Sequence, residues 1–181
     1  PFTGEGDRRR RWRGRPTVRK ILAQPLTREA FAPFGDVIDA EGWQNHYPIN
    51  AGRTERFHAL ATADVTGPNA KVVISIARGQ PYALPLRLDM VERHPLGSQA
   101  FVPLNGRPFL VIVAPDGPSG PGVPRAFLAE RGQGVNYPRG RWHGVLTALH
   151  EPQDFLIVDR VGDGSNLEEF HFPEPYEVHL P

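Results

Sequence analysis

Two short segments of the chain carry acid, amide and imidazole side chains at spacings that suit a shared site. The segments are Glu92-x-His94-x4-Gln99-x6-Gly106 and Gly132-x5-Pro138-x-Gly140-x2-His143. Carboxylate and imidazole groups can exchange protons with a bound molecule or bind a divalent cation. The sequence therefore predicts a proton-transfer or metal site built from Glu92, His94, Gln99 and His143.

The order and spacing of the two segments resemble the two sequence motifs of the cupin β-barrels. In the second segment, Pro138 and Gly140 predict a tight turn, and the strand after it carries His143 inward. In the first segment, Glu92 stands where the cupin motif has its first histidine, and Gln99 stands where it has glutamate. The resemblance implies a pocket inside a small barrel, with these side chains and His94 on its floor.

The composition favours short strands over helices. The chain has 181 residues, 39% of them hydrophobic, which is enough for one good core and short for two. Its 20 prolines and 19 glycines, without a long stretch at helical spacing, are typical of many short strands. We therefore expect a mainly β protein: a single-domain antiparallel β-barrel of the cupin (jelly-roll) type with a few short helices.

The first part of the chain differs from the rest in charge. Residues 1–16 hold six arginines, and we expect them to form a basic, disordered leader, with a cupin-like catalytic domain over residues 17–181. An arm that binds nucleic acid or a membrane surface is the alternative reading of the leader. The absence of cysteine and of a long apolar stretch predicts a cytoplasmic protein with no membrane and no nucleic-acid partner.

Alternation of side chains places the first segment in a strand. Leu86, Leu88, Met90, Glu92 and His94 share one parity, which predicts that the acid and the imidazole face the barrel interior beside apolar residues. The range 43–56 is predicted to be a loop that carries polar pocket residues. The acidic and proline-rich residues after 164 are expected to wrap around the outside.

Longer stretches around both motifs resemble the ureidoglycolate lyases of purine (allantoin) degradation. These stretches are residues 33–38 (PFGDVI), 49–52 (INAG), 55–58 (ERFH), 92–101 (ERHPLGSQAF), 134–137 (GVNY), 142–143 (WH) and 154–160 (DFLIVDR). The resemblance implies cleavage of ureidoglycolate into glyoxylate and urea on a cupin-like barrel that pairs as a homodimer. It also associates nickel or another divalent ion with the activity.

Cleavage of ureidoglycolate would require three functional groups in the site. A base takes the hydroxyl proton, an acid or cation supports the departing urea, and a positive group holds the carboxylate. His94, His143 and Glu92 are the predicted catalytic residues. The predicted substrate-binding residues are Arg56, Arg78, Gln99, Tyr137, Asn50 and His58, the last two resting on the family resemblance.

Arg93 is another candidate for binding the substrate carboxylate. Arg93 has the opposite parity to His94 and is expected to point outward, so Arg56 ranks above it.

The sequence leaves the metal and the exact reaction open. Glu92, His94, Gln99 and His143 offer only two nitrogen ligands, so we expect a metal-free hydrogen-bonding cluster, with a loosely held divalent ion as the alternative. Two other functions compete with the lyase. One is an amidohydrolase that attacks the ureido carbonyl of the same substrate, and the other is a non-catalytic metabolite-binding cupin.

Overall fold

The computed structural model describes residues 19–181, so the predicted leader over residues 1–16 lies outside the described part of the chain. One helix, α1 (Arg28–Phe31), and seventeen strands occur in the described range. The strands are β1 (Arg19–Leu22), β2 (Gln24–Pro25), β3 (Asp36–Ile38), β4 (His46–Ile49), β5 (Thr54–Phe57), β6 (Lys71–Gly79), β7 (Leu86–Arg93), β8 (Gln99–Pro103), β9 (Phe109–Ala114), β10 (Asp116–Gly117), β11 (Gly120–Pro121), β12 (Arg125–Ala129), β13 (Gly134–Tyr137), β14 (Trp142–His143), β15 (Thr147–Ala148), β16 (Gln153–Val161) and β17 (Glu168–His179).

Most strands belong to two sheets. The larger sheet has the order β1-β17-β7-β14-β9-β12-β2, with β15 also paired to β9, and the smaller has the order β3-β13-β8-β16-β6. The end strands β1 and β2 of the larger sheet are separated by Ala23 alone, so this sheet curls into a nearly closed barrel. The mainly β, barrel-type fold is confirmed. Two strand pairs, β1 with β17 and β2 with β12, are parallel rather than antiparallel.

The strand β9 is buried along its whole length and serves two apolar cores. Its odd-numbered residues pack between the sheets with Phe101 and Phe155. Its even-numbered residues pack on the other side of the larger sheet with Leu88 and Tyr176. A strand buried on both faces reads as a continuous apolar run, which explains why its sequence does not alternate.

One turn of helix closes the first core. The Oγ1 atom of Thr27 accepts a hydrogen bond from the backbone N–H of Ala30 at 3.2 Å, as expected for an N-cap residue. Phe31, at the end of α1, is fully buried in the first core. Within the described range, no helix has the length and apolar character needed to cross a membrane.

The prediction that Leu88 and Glu92 share one face of β7 is wrong. Leu88 and Val91 both lie in the second core. Glu92 is paired with His143, which in turn is paired with Val113 of the first core. The register between β7 and β17 shifts between His171 and Tyr176, which are paired with Met90 and Leu88 of β7. Such a bulge reverses the side of the sheet that the following residues face.

Two segments predicted to be irregular are strands. The range 43–56, predicted to be a loop, contains β4 and most of β5, and these two strands form a hairpin that pairs with no other named strand. The segment after 164, expected to wrap outside, forms β17 between β1 and β7, with Tyr176 and Val178 buried. The hairpin is exposed on both faces, and Pro173 and Pro175 interrupt β17, so neither segment shows a clear period-two pattern.

Candidate active site

The turn before β14 joins the two sequence motifs. The backbone N–H of Arg141 donates to the carbonyl oxygen of Pro138 at 3.2 Å, and Gly140 has a φ of 72°, which glycine adopts without steric cost. The N–H of Gly140 also donates to the carbonyl oxygen of His94 at 2.9 Å. The turn therefore holds β14, which carries His143, against the end of β7, directly beside His94.

Glu92, His94 and His143 come together in the space between the two sheets, and we call them the acid–imidazole cluster. One potential ligand atom of each lies within 4.8 Å of the others. The two imidazole centroids are 5.2 Å apart, and Oε1 of Glu92 is 3.9 Å from Nε2 of His94. His143 is 1% exposed, and the other two side chains are partly buried. The structure therefore brings together three of the four residues that the motifs single out in one largely buried cluster.

The hydrogen bonds of the two histidines fix their tautomers. Nδ1 of His94 is 2.7 Å from the carbonyl oxygen of Asn166, and Nδ1 of His143 is 3.0 Å from that of Gly144. A carbonyl oxygen can only accept, so each Nδ1 carries a hydrogen and each neutral ring keeps a lone pair on Nε2. Both Nε2 atoms are buried and have no hydrogen-bond partner in the part of the chain that the structure describes. Two basic lone pairs are therefore available within the cluster.

Burial changes the pKa values of His143 and Glu92 in opposite directions. It lowers the pKa of His143 to about 3, an effect that the bond to Gly144 opposes and the nearby His94 assists. Burial also raises the pKa of Glu92, against the attraction of His94, while Glu169 of β17 adds to the increase. Because desolvation disfavours the charged form of both groups, His143 stays neutral and Glu92 becomes more basic than an exposed glutamate.

The smaller sheet supplies two further side chains, one of which packs directly on the cluster. The ring of Tyr137 stacks on that of His143, with the centroids 4.3 Å apart and the planes at 2°. Burial raises the pKa of Tyr137, and Glu92 acts in the same direction, so its hydroxyl remains protonated. Gln99 is paired with Tyr137 across β8 and β13, and its Oε1 atom is buried without a hydrogen-bond partner among residues 19–181. Gln99 thus adds a third acceptor atom without a partner in that range.

These donor atoms are of the kinds that bind divalent ions. Among the described residues, the Nε2 atoms of His94 and His143 and the Oε1 atom of Gln99 have no hydrogen-bond partner. Leaving a buried polar atom unpaired costs about 1–3 kcal/mol, so a water, a substrate or an ion that pairs with these atoms would be stabilising. Two imidazole nitrogens with a carboxylate and an amide oxygen suit nickel and similar divalent ions.

The other four predicted binding residues lie on different elements. Arg56 is on β5, Asn50 is at the tip of the β4–β5 hairpin, and His58 follows β5. Arg78 of β6 is exposed and forms two hydrogen bonds with Asp154, at 2.7 and 2.8 Å. In the part of the chain that the structure describes, none of the four forms a hydrogen bond or ion pair with the acid–imidazole cluster.

Asn166 is a site residue that the sequence did not reveal. Its backbone carbonyl accepts from His94, and its side-chain Oδ1 accepts from the backbone N–H of Leu96 at 2.7 Å. Asn166 therefore positions both His94 and the turn that follows His94. Asn166 is 72 positions from His94 in the chain, and no local spacing connects the two.

Comparison with known proteins identifies the family of the chain. A family model described as ureidoglycolate lyase matches residues 18–179. A protein from Mesorhizobium japonicum named ureidoglycolate lyase is 70% identical over 162 residues, which cover 90% of this chain and 99% of that protein. Proteins of the same name are 68% identical in Chelativorans sp., over 91% of this chain and 99% of theirs, and 55% identical in Brucella ovis, over 87% and 92%. The chain belongs to the ureidoglycolate lyase family.

Proposed function

We propose that the protein cleaves ureidoglycolate into glyoxylate and urea, as a step of allantoin degradation in the cytoplasm, and that it works as a homodimer. Family membership supports the substrate. The observation that carries the reaction is the pair of unpartnered Nε2 lone pairs, on His94 and His143, beside the carboxylate of Glu92.

The substrate carries a hydroxyl and a ureido nitrogen on the same carbon. Cleavage moves the hydroxyl proton to the leaving nitrogen: the O–H bond breaks, a C=O bond forms, the C–N bond breaks and its electron pair takes up the proton. This reaction needs a group that accepts and then returns one proton, and it needs no covalent nucleophile. A chain without cysteine is consistent with that requirement.

We assign the proton transfer to His94. Its Nε2 atom lies 3.9 Å from Oε1 of Glu92, so the carboxylate stabilises the imidazolium that forms when the proton is taken. Burial opposes protonation of His143, whose neutral Nε2 is better suited to accept a hydrogen bond from the substrate and orient it. Tyr137 and Gln99 offer a hydroxyl donor and an amide to the same bound molecule.

The carboxylate of the substrate requires a cation. We propose Arg56 for this role, with Asn50 and His58 of the same hairpin region as further binding residues. Arg78 is a weaker candidate because Asp154 already occupies its guanidinium with two hydrogen bonds.

If a divalent ion is bound, nickel by the family resemblance, Glu92, His94, Gln99 and His143 would hold it, and the Nε2 atom of His94 would then be a ligand instead of the proton carrier. The ion would supply Lewis-acid polarisation of a substrate oxygen.

Product analysis tests the proposed reaction. Purified protein is incubated with ureidoglycolate, and urea, glyoxylate, ammonia and carbon dioxide are measured. Equal amounts of urea and glyoxylate are expected. Ammonia and carbon dioxide would indicate an amidohydrolase, and tight binding without turnover would indicate a metabolite-binding protein, so either result would overturn the lyase assignment.

A further inference from the structure

A buried cation lies next to the turn that separates His94 from Gln99. Arg160, near the end of β16, is 8% exposed, and within the described range it forms no ion pair with a carboxylate. Its guanidinium donates instead to two backbone carbonyl oxygens, that of Thr66 at 2.8 Å and that of Asp163 at 2.7 Å. Burying a charged group costs free energy that its hydrogen bonds must offset, so the position of Arg160 calls for an explanation.

The two carbonyl groups belong to the two segments that hold the turn at residues 95–98. On one side, the N–H of Thr66 donates to the carbonyl oxygen of Leu96 at 2.9 Å. On the other side, Asn166 follows closely after the second carbonyl group, and its Oδ1 atom accepts from the N–H of Leu96 at 2.7 Å. Arg160 therefore joins the two segments between which the turn is fixed.

The stem of Arg160 also packs directly on the turn. The strand β16 continues past the start of β8, and Arg160 lies two residues beyond Val158, which pairs with Ala100 of β8. A Cβ atom added at Gly97 would lie 2.5 Å from the Cβ atom of Arg160 and 3.2 Å from its Cδ atom. The backbone of the turn thus lies against the arginine without room for a methyl group, so a movement of the arginine displaces the turn.

We propose that Arg160 is a positioning residue for His94 and Gln99, an inference that rests on the proposed function of the acid–imidazole cluster. His94 and Gln99 flank the 95–98 turn, so its placement sets the positions of both side chains. The segment that Arg160 bonds through Asp163 also contains Asn166, whose carbonyl oxygen holds Nδ1 of His94 at 2.7 Å. A guanidinium suits this role because its planar fork can donate to two carbonyl groups at once.

Steady-state kinetics of Arg160→Met and Arg160→Lys test the proposal. Methionine fills part of the buried space and removes both donors. A shift of about 1 Å in a catalytic group can cost roughly 100-fold in rate, so kcat should fall about 10- to 100-fold, and KM should change much less. Lysine keeps the charge but cannot bond both carbonyl groups as the planar fork does, so Arg160→Lys should recover only part of the loss.

A second variant disturbs the same contact and leaves the guanidinium in place. In Gly97→Ala the added Cβ atom cannot stay 2.5 Å from that of Arg160, so the turn must move away from the arginine. We expect kcat to fall in this variant as in Arg160→Met. Gly97→Ala therefore tests the contact even if the loss of the buried cation prevents folding.

Gln153→Met is the control for a general loss of stability. Gln153 lies at the other end of β16, is 1% exposed, and donates through Nε2 to the carbonyl oxygen of Arg107 at 2.9 Å. Its replacement removes a buried hydrogen bond that does not involve the 95–98 turn. The variant should unfold at a lower temperature than the wild type and keep wild-type kcat.

The ring ¹⁵N signals of His94 in nuclear magnetic resonance spectra give a readout besides activity. In the wild type, the bond to Asn166 keeps the hydrogen on Nδ1, so the two ring nitrogens give well-separated signals. In Arg160→Met the ring should exchange between its tautomers, and the two signals should move towards each other. The signals are identified by their loss in His94→Ala, and Gln153→Met should leave them unchanged.

The outcomes separate this proposal from the proposed function. Wild-type kcat or unchanged His94 signals in folded Arg160→Met would each overturn the role of Arg160. Full recovery of kcat in Arg160→Lys, or an equal loss of kcat in Gln153→Met, would also overturn it. Absence of urea release by the wild type would refute the proposed function instead, and the His94 signals would still decide whether Arg160 positions the ring.

Discussion

Removing either imidazole of the acid–imidazole cluster should slow turnover far more than it weakens substrate binding. His94→Ala removes the proposed proton carrier, and His143→Ala removes the buried lone pair next to it. Loss of a positioned acid or base typically lowers kcat roughly 10²–10⁴-fold. At about 1.36 kcal/mol for each tenfold change, the transition state loses about 2.7–5.4 kcal/mol.

The two positions differ in their effect on stability. His143 is 1% exposed and stacks on Tyr137 at 4.3 Å, so His143→Ala leaves a cavity, for which large-to-small core changes cost roughly 2–5 kcal/mol. His94 is less enclosed, and its replacement should cost less. His143→Gln, which fills more of the space, separates the loss of the imidazole from the loss of packing.

The assay is steady-state release of urea and glyoxylate over a range of substrate concentrations, with thermal unfolding of each variant. His171→Ala is the control, because His171 is exposed on β17. It should keep wild-type kcat and stability. If folded His94→Ala and His143→Gln both kept near-native kcat, the assignment of the pocket would be refuted, and residues 45–58 would be the next region to test.

Four further predictions follow from the same geometry. Arg56→Ala should raise KM and leave kcat nearly unchanged, because a carboxylate contact exists in the ground state and the transition state alike; a selective fall in kcat would contradict this role. Asn166→Ala leaves the N–H of Leu96 without its acceptor, so chemical unfolding should show a loss of about 1–3 kcal/mol, and kcat should fall less than in His94→Ala. In metal-free protein, the pKa of His143 is about 3 in the folded state and about 6.5 in the unfolded state. The unfolded state therefore binds more protons between these values, and the free energy of unfolding should decrease as the pH falls from about 6.5 towards 3, by up to about 1.4 kcal/mol per pH unit. The decrease should be less steep in His143→Gln. Titration calorimetry with nickel should detect one site in the wild type, and unchanged binding by His143→Gln would rule out the proposed ligand set.

The sequence was sufficient to find the cluster because its key contacts lie close to recognisable turns. The spacing of Pro138, Gly140 and His143 describes one turn and the strand after it, and such local geometry is visible in a single segment. The pairing of Glu92 with His143 follows from the resemblance of both motifs to a known barrel. Alternation alone would have placed Glu92 beside Leu88, which packs in the other core.

Features created by distant pairing could not be predicted in the same way. The hairpin of β4 and β5 has polar residues on both faces and a proline at position 48, so it shows no apolar alternation. β17 supplies Glu169 next to Glu92, and the loop before it supplies Asn166 next to His94. Both contacts join residues more than seventy positions apart, and only the complete sheet brings them together.

The burial that shapes the cluster explains why it needs an external partner. Desolvation makes His143 hard to protonate and makes Glu92 more basic, so the two side chains gain little from forming an ion pair with each other. Backbone carbonyls hold both Nδ1 atoms as donors, which leaves the Nε2 lone pairs without a donor among the described residues. A buried cluster with a carboxylate and two such lone pairs is stabilised by a group that brings positive charge or a hydrogen to it. A substrate hydroxyl and a divalent cation both meet that requirement, which is the electrostatic support for the proposed proton abstraction from the substrate.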